Sequence, residues 1–205
     1  MPKSHDNSLF APRKASLERR TLETSIKVEL NIDGKGQASI HTGIGFFDHM
    51  LHLVATHAQF DLVLQCSGDL DVDDHHTIED TGITLGQAFS KALGSKHHIA
   101  RYGSAYIPMD EALARAVVDL SGRFYLHFNA SFTRETIGTL STEMIPHFWY
   151  SFAEHAQINL HIDLLHGTNT HHCIEAIFKA VAHALRLAVK RQTQHPAVLS
   201  TKGSL

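Results

Sequence analysis

Apolar and polar residues alternate in IKVELNI (26–32), so that Ile26, Val28, Leu30 and Ile32 share one side. They alternate again in FYLHFNA (124–130), through Phe124, Leu126, Phe128 and Ala130. A two-residue period predicts a half-buried strand at each place. The period then lengthens. Phe47, Met50, Leu51 and Val54 recur at helical spacing, before Phe60, Leu62 and Leu64 return to alternation. That last strand has a match in Ile158, Leu160 and Ile162. A further helix is predicted by Ile78, Leu85, Ala88, Phe89 and Ala92, and another by Ile174, Val181, Ala184, Leu185 and Ala188.

These matches form an internal repeat. With residues 16–66 laid over 114–164, IKVELNI falls on FYLHFNA, and DHMLHLVATHAQFDLVL (48–64) falls on PHFWYSFAEHAQINLHI (146–162). The triplet HAQ, at 57–59 and 155–157, anchors the register. Each half reads strand, strand, helix, strand, helix, with the second strand near 37–41 and 134–140. Residues 100–122 offer room for further strands. No stretch rich in Pro, Gly or Ser separates the halves. The expectation is an α+β fold, an internally duplicated sheet with helices on one face. It forms a single domain over 13–205, with halves near 16–96 and 114–190, and residues 1–12 as a flexible tail.

Composition narrows the function classes. A formal net charge of -3 over 205 residues gives no global electrostatic case for nucleic acid. No apolar run is long enough to span a bilayer, and MPKSHDNSLFAPRK lacks a signal-peptide core. Two cysteines, Cys66 and Cys173, do not make a disulfide framework, so a reducing cytoplasm is the expected setting. The unusual count is 18 histidines. Histidine is the commonest metal ligand and the commonest general acid or base.

Two of the histidine clusters match. DDHHTIED (73–80) and NTHHCIEA (169–176) each contain His-His-x-x-Glu at the start of a predicted helix. Residues three and four apart share a helix face, so either His75 or His76 can join Glu79, and either His171 or His172 can join Glu175. Adjacent helix residues point about 100° apart, so one pair can serve two ions. Imidazole with carboxylate suits Mn, Fe, Co, Ni or Zn rather than Ca or Mg. The plain alternative, polar residues at a helix start, fits one copy well. A second copy at the matched place favours metal. The repeat also aligns His49 with His147. Six histidines (49, 75, 76, 147, 171, 172) and two glutamates (79, 175) then make two sets of three His and one Glu. His57 aligns with His155, for which a hydrogen bond to backbone near a helix end is the simpler reading.

Glu23 aligns with Ser121, an unpaired acid in an otherwise symmetric frame, as a single base would be. Arg101, Arg123, Lys179, Ser200 and Lys202 are the residue types a phosphate monoester needs, though any one of them alone reads as solvated surface. Cys173 aligns with Thr77, so a packed thiol fits better than a metal-bound one.

Taken in order, GIGFFDHMLH, DDHHTIEDTGITLGQA, RYGSAYIPMDEALARAVVDLSGR, STEMIPHF, THHCIEAIFKA and STKGSL resemble the imidazoleglycerol-phosphate dehydratase family of histidine biosynthesis, over roughly residues 15 to 205. The resemblance implies a fold like the second domain of ribosomal protein S5, duplicated. It implies a homo-oligomer of 24 subunits, with sites between subunits and two Mn ions in each. By motif, it makes metal ligands of His49, His75, His76, Glu79, His147, His171, His172 and Glu175. It makes Glu23 the acid/base carboxylate, and Arg101, Arg123, Lys179, Ser200 and Lys202 the substrate and phosphate contacts, with His57 lining the substrate. Phe124 stands where the pattern usually has proline, and His98 and Ala100 replace a usual glycine and arginine. No ligand position departs from the pattern. With no second catalytic region, a monofunctional dehydratase is implied.

The implied reaction removes water from D-erythro-imidazole-glycerol phosphate to give imidazole-acetol phosphate. The hydrogen lost is not next to a carbonyl, so the imidazole ring, held as imidazolate between two cations, must store the electrons. Two other classes remain open. One is a di-metal hydrolase, although such sites usually carry more Asp. The other is a metal-storage module, which would have no need of Glu23, Arg101 or Lys202.

Overall fold

In the computed structural model, residues 11–192 and 199–200 are described. The chain runs β1 (Lys14–Arg20), β2 (Thr24–Asn31), β3 (Ala38–His41), α1 (Gly45–Ala58), β4 (Asp61–Gly68) and α2 (His75–Leu93). It continues through β5 (Tyr102–Met109), β6 (Ala112–Asp119), β7 (Tyr125–Asn129), β8 (Thr136–Ile137), β9 (Leu140–Ser141), α3 (Met144–Ala156), β10 (Asn159–His166) and α4 (Thr170–Ala188). One sheet has the order β1-β2-β4-β3 and a second β5-β6-β10-β7. In both, the first three strands are antiparallel neighbours and the last pair is parallel.

The sequence pattern explains the layers. Along β2 every second residue, from Thr24 to Leu30, is buried, so one face of the sheet is apolar. Helices α1 and α2 pack on the first sheet, α3 and α4 on the second, and the helical layers meet with α2 against α3 and α1 against α4. The fold is therefore α+β, two sheets each covered by helices on one face. The buried residues of both halves join in one apolar cluster that includes Phe47, Phe89, Phe148, Trp149 and Phe178. Each such side chain contributes about 1.5–3 kcal/mol relative to exposure.

The HAQ triplet has a local cause. Gln59 and Gln157 adopt left-handed φ of 58° and 55°, and their N–H groups bond back to the last turns of α1 and α3. They are helix stops, placing each following strand identically. Close contact also requires glycine, most tightly at position 103. At Gly103, where β5 crosses α4, a Cβ would lie 1.9 Å from the Ala184 carbonyl oxygen. Beneath α2, buried Asp80 accepts from Arg19 Nε at 2.9 Å and Thr24 Oγ1 at 2.5 Å, tying the helix to β1 and β2.

The structure corrects the register of the repeat. The strand at 124–130 is β7, which pairs parallel with β10 and so occupies the place of β3, not of β2. The counterpart of β2 is β6. The second strand expected near 134–140 is instead the small β8–β9 hairpin, outside the main sheet. Strand β1 went unrecognised because KASLERR offers only Ala15 and Leu17 as alternating apolar residues. Each half is thus three strands, a helix, a strand and a helix.

Candidate metal centre

Packing α1 against α4 brings the first donor group together. His49 Nε2, on α1, lies 2.8 Å from Glu175 Oε1, on α4, and His171 Nε2 lies 3.1 Å from the same oxygen. Lys179 Nζ, one turn along, donates to Glu175 Oε2 at 2.6 Å. Burial raises the Glu175 pKa, but the hydrogen bonds from Lys179, His49 and His171 outweigh it and hold the carboxyl at about 2. Glu175 is therefore ionised at neutral pH although buried.

Packing α2 against α3 forms the second group. His75 Nε2 is 3.6 Å and His147 Nε2 is 3.5 Å from the carboxylate of Glu79. The His75 and His147 rings are 4.7 Å apart. His147 Nε2 is shut off from solvent and lacks a hydrogen-bond partner among the described residues, an unfavourable state for a ring nitrogen. A cation would relieve it. In each group the three donor atoms lie within 4.8 Å of one another, and the nitrogen-rich donor set fits a borderline divalent metal.

His76 and His172 stand outside both groups, turned away by the helix period. Asp69 accepts from His76 Nδ1 at 3.0 and 3.2 Å, and Glu111 from His172 Nδ1 at 2.7 Å. Both histidine pKa values are raised, chiefly by these hydrogen bonds. The His172 bond is the largest of the causes that hold Glu111 down at about 2. A set of three His and one Glu within one chain is therefore not what the fold assembles. Each group holds two His and one Glu.

Glu23 Oε1 lies 3.6 Å from His76 Nε2. With β6 as the counterpart of β2, the residue matching Glu23 is Glu111, since each ends a hairpin turn directly before its strand. The acid has a partner after all, hidden by the mistaken register against Ser121.

The other nominated residues are scattered more widely. His57, on α1, has its ring 5.3 Å from that of His183 on α4, tilted rather than stacked, beyond Lys179 along the same helix pair, and burial lowers both pKa values. Arg101 is engaged twice: it forks onto Asp119 at 2.7 and 3.1 Å, and it donates to the carbonyl of Leu199, which places Ser200 nearby. The Arg123 guanidinium is exposed, and no bond to it is seen among the described residues. Lys202 and residues 1–10 of the tail lie outside the described residues. His155 Nδ1 bonds to the Ser151 carbonyl at 2.9 Å, a structural role, and Cys173 is a buried thiol whose pKa burial raises. Asp69 and Glu111 escaped the sequence reading.

The model of the imidazoleglycerol-phosphate dehydratase family matches residues 42–185, the stretch that carries every donor above. The chain belongs to the imidazoleglycerol-phosphate dehydratase family. The family's enzyme from Salinibacter ruber is 59% identical over 196 residues, covering 96% of this chain and 97% of its own. That of Chloroherpeton thalassium is 56% identical over 191 residues, 93% of this chain and 97% of its own. The crystal structure of the imidazoleglycerol-phosphate dehydratase from Staphylococcus aureus superposes with a TM-score of 0.80 at 42% identity, over 87% of this chain and 99% of that one. The Pyrococcus furiosus structure gives 0.79 at 34% identity, over 92% and 100%. No helix among the described residues is long and apolar enough to cross a membrane.

Proposed function

We propose that the protein catalyses the dehydration of D-erythro-imidazole-glycerol phosphate to imidazole-acetol phosphate in histidine biosynthesis, in the cytoplasm, with two divalent cations, Mn by family resemblance. The observation that carries this reading is the pair of matched His-His-Glu groups, each drawn from both halves of the chain. His49, His171 and Glu175 would hold one ion, and His147, His75 and Glu79 the other. Bound cations favour the deprotonated imidazole, which gives the electron pair left by C–H cleavage a place to go.

The chain's own residues do the rest. Glu23, exposed and beside His76 Nε2, handles a proton at the departing hydroxyl. Arg101, Arg123, Lys179, Ser200 and Lys202 fix the phosphate, and His57 lines the substrate. His76 and His172 present Nε2 away from the groups of their own chain, so they complete sites on neighbouring copies. Exposed Leu22 adjoins Glu23, and exposed Leu70 and Val72 follow Asp69, so the two acids beside His76 each border exposed apolar residues, as an interface between copies requires. A closed homo-oligomer, the 24-subunit particle that the family resemblance implies, would supply those neighbouring copies.

The test is turnover of imidazole-glycerol phosphate with metal counted on the same sample. Loss on chelation, recovery with Mn and two ions per chain support the proposal. Release of inorganic phosphate would make the protein a hydrolase. Tightly bound metal with no turnover would leave only storage.

A further inference from the structure

The two halves of the protein reach the same hydrogen bond by different routes. On α2, His76 Nδ1 is held by Asp69, the residue that follows β4. On α4, His172 Nδ1 is held by Glu111, from the turn between β5 and β6. These positions are not related by the repeat. The counterpart of Asp69, directly after β10, is Gly167, which has no side chain to offer. The counterpart of Glu111 is Glu23, which faces the other ring nitrogen of its histidine at 3.6 Å. A contact inherited passively through duplication would use matched residues. Here unmatched residues supply matched contacts.

We propose that Asp69 and Glu111 are positioning residues that fix the second histidine of each pair, holding His76 and His172 as the tautomer whose Nε2 is a bare donor. An ionised carboxylate only accepts, so the proton must sit on Nδ1, and the lone pair on Nε2 points outward. The inference rests on the proposed function, in which His76 and His172 are metal ligands. It also accounts for Glu23. Because Asp69 holds His76, the carboxylate that would otherwise do so is free to work beside Nε2. In the second half Glu111 has no such relief, and it is spent on His172.

Glu111 permits a clean test because its two oxygens divide their duties. Oε1 accepts from the backbone N–H groups of Thr168 at 3.2 Å and Asn169 at 2.7 Å, ahead of α4, while Oε2 alone faces His172. In Glu111→Gln the amide oxygen keeps the loop, and the amide nitrogen donates to Nδ1. The ring must then carry its proton on Nε2, which blocks the donor.

The experiment is Mn(II) affinity, measured by competition with a chelating dye on the metal-freed protein. The proteins are wild type, Glu111→Gln, Asp69→Asn, Asp69→Ala, and the controls His172→Ala and His76→Ala, with thermal unfolding of each metal-free sample. The expected result is a loss of about 10–100-fold in affinity at one class of site for Glu111→Gln, at unchanged thermal stability. Asp69→Asn, whose carbonyl oxygen can still accept from Nδ1–H, retains more of the affinity than Asp69→Ala. Wild-type affinity in Glu111→Gln and Asp69→Ala, with affinity lost in the two histidine variants, would overturn the positioning role and leave the metal site standing. Wild-type affinity in the histidine variants would overturn the ligand assignment, and the positioning role with it.

Discussion

His49 and Glu175 meet at 2.8 Å although they come from different halves of the chain. The contact exists because α1 of the first half packs on α4 of the second, as α3 packs on α2. Glu175→Gln removes the charge that makes this group a cation site and leaves Lys179 unpaired. The variant should keep one of two ions per chain, and Glu79→Gln should lose the other. Metal analysis of both proteins after extensive dialysis checks this.

Glu23 touches neither group of three donors. Glu23→Gln should therefore retain its full metal content and oligomeric size while turnover falls by at least about 100-fold. Parallel metal analysis, light scattering and kinetics decide it. Metal or assembly lost together with activity would show that the side chain holds the site rather than serving the reaction.

Strong acid should loosen the ties that Asp33 makes to Arg13 and Arg191. Burial works against the charge on Asp33, but hydrogen bonds from Arg13 and Arg191 prevail and hold its pKa well below the ordinary 3.8. A depressed folded pKa contributes stability that is fully present above 3.8 and is lost as pH falls through the folded value. Asp33→Asn should thus lower stability at neutral pH and flatten its decline as pH falls below about 4. Urea titrations across that range provide the comparison.

Gly103→Ala should destabilise the second half. The added methyl meets a backbone carbonyl, so β5 and α4 must separate, at about 1–3 kcal/mol or more. A fall in Tm of several degrees is the expected readout. Gly94, at the end of α2, has nothing within 4 Å of an added Cβ, but its φ of +65° leaves a strain that Gly103 does not share, so the two variants separate crowding from backbone conformation.

Buried Asp80 has Arg19 and Thr24 as partners. Asp80→Ala leaves partly exposed Arg19 without its carboxylate and buried Thr24 without its acceptor, and should cost about 1–3 kcal/mol. Chemical denaturation measures it, and the additional removal of Arg19 should recover part of the loss.

Much of this was legible in the chain itself. The helices and the strands after them were, because Phe47, Met50 and Val54 keep a strict period and because HAQ ends α1 and α3 in the same left-handed turn. So were all six residues of the two groups: four because His-His-x-x-Glu opens both α2 and α4, and His49 and His147 because the repeat aligns them. The strand register was not. FYLHFNA alternates as well as IKVELNI, and alternation reports that a strand has a buried face without naming its neighbours in the sheet. That error hid the match of Glu23 with Glu111. Asp69 and Glu111 stayed invisible for a related reason: each meets its histidine through a turn, and nothing local in LQCSGDL or PMDEALA marks the contact.

The crossing of helices between halves means that a single half could furnish neither group of donors alone. Two copies of an ancestral half, docked face to face, would have made two identical centres by rotation. The repeat has the form of such a pair joined end to end. Within one chain a residue at one hairpin need not appear at the other, so one turn leaves Glu23 beside a histidine it does not hold while its twin binds Glu111 to one. A frame that is nearly symmetric thus carries two turns that do different things.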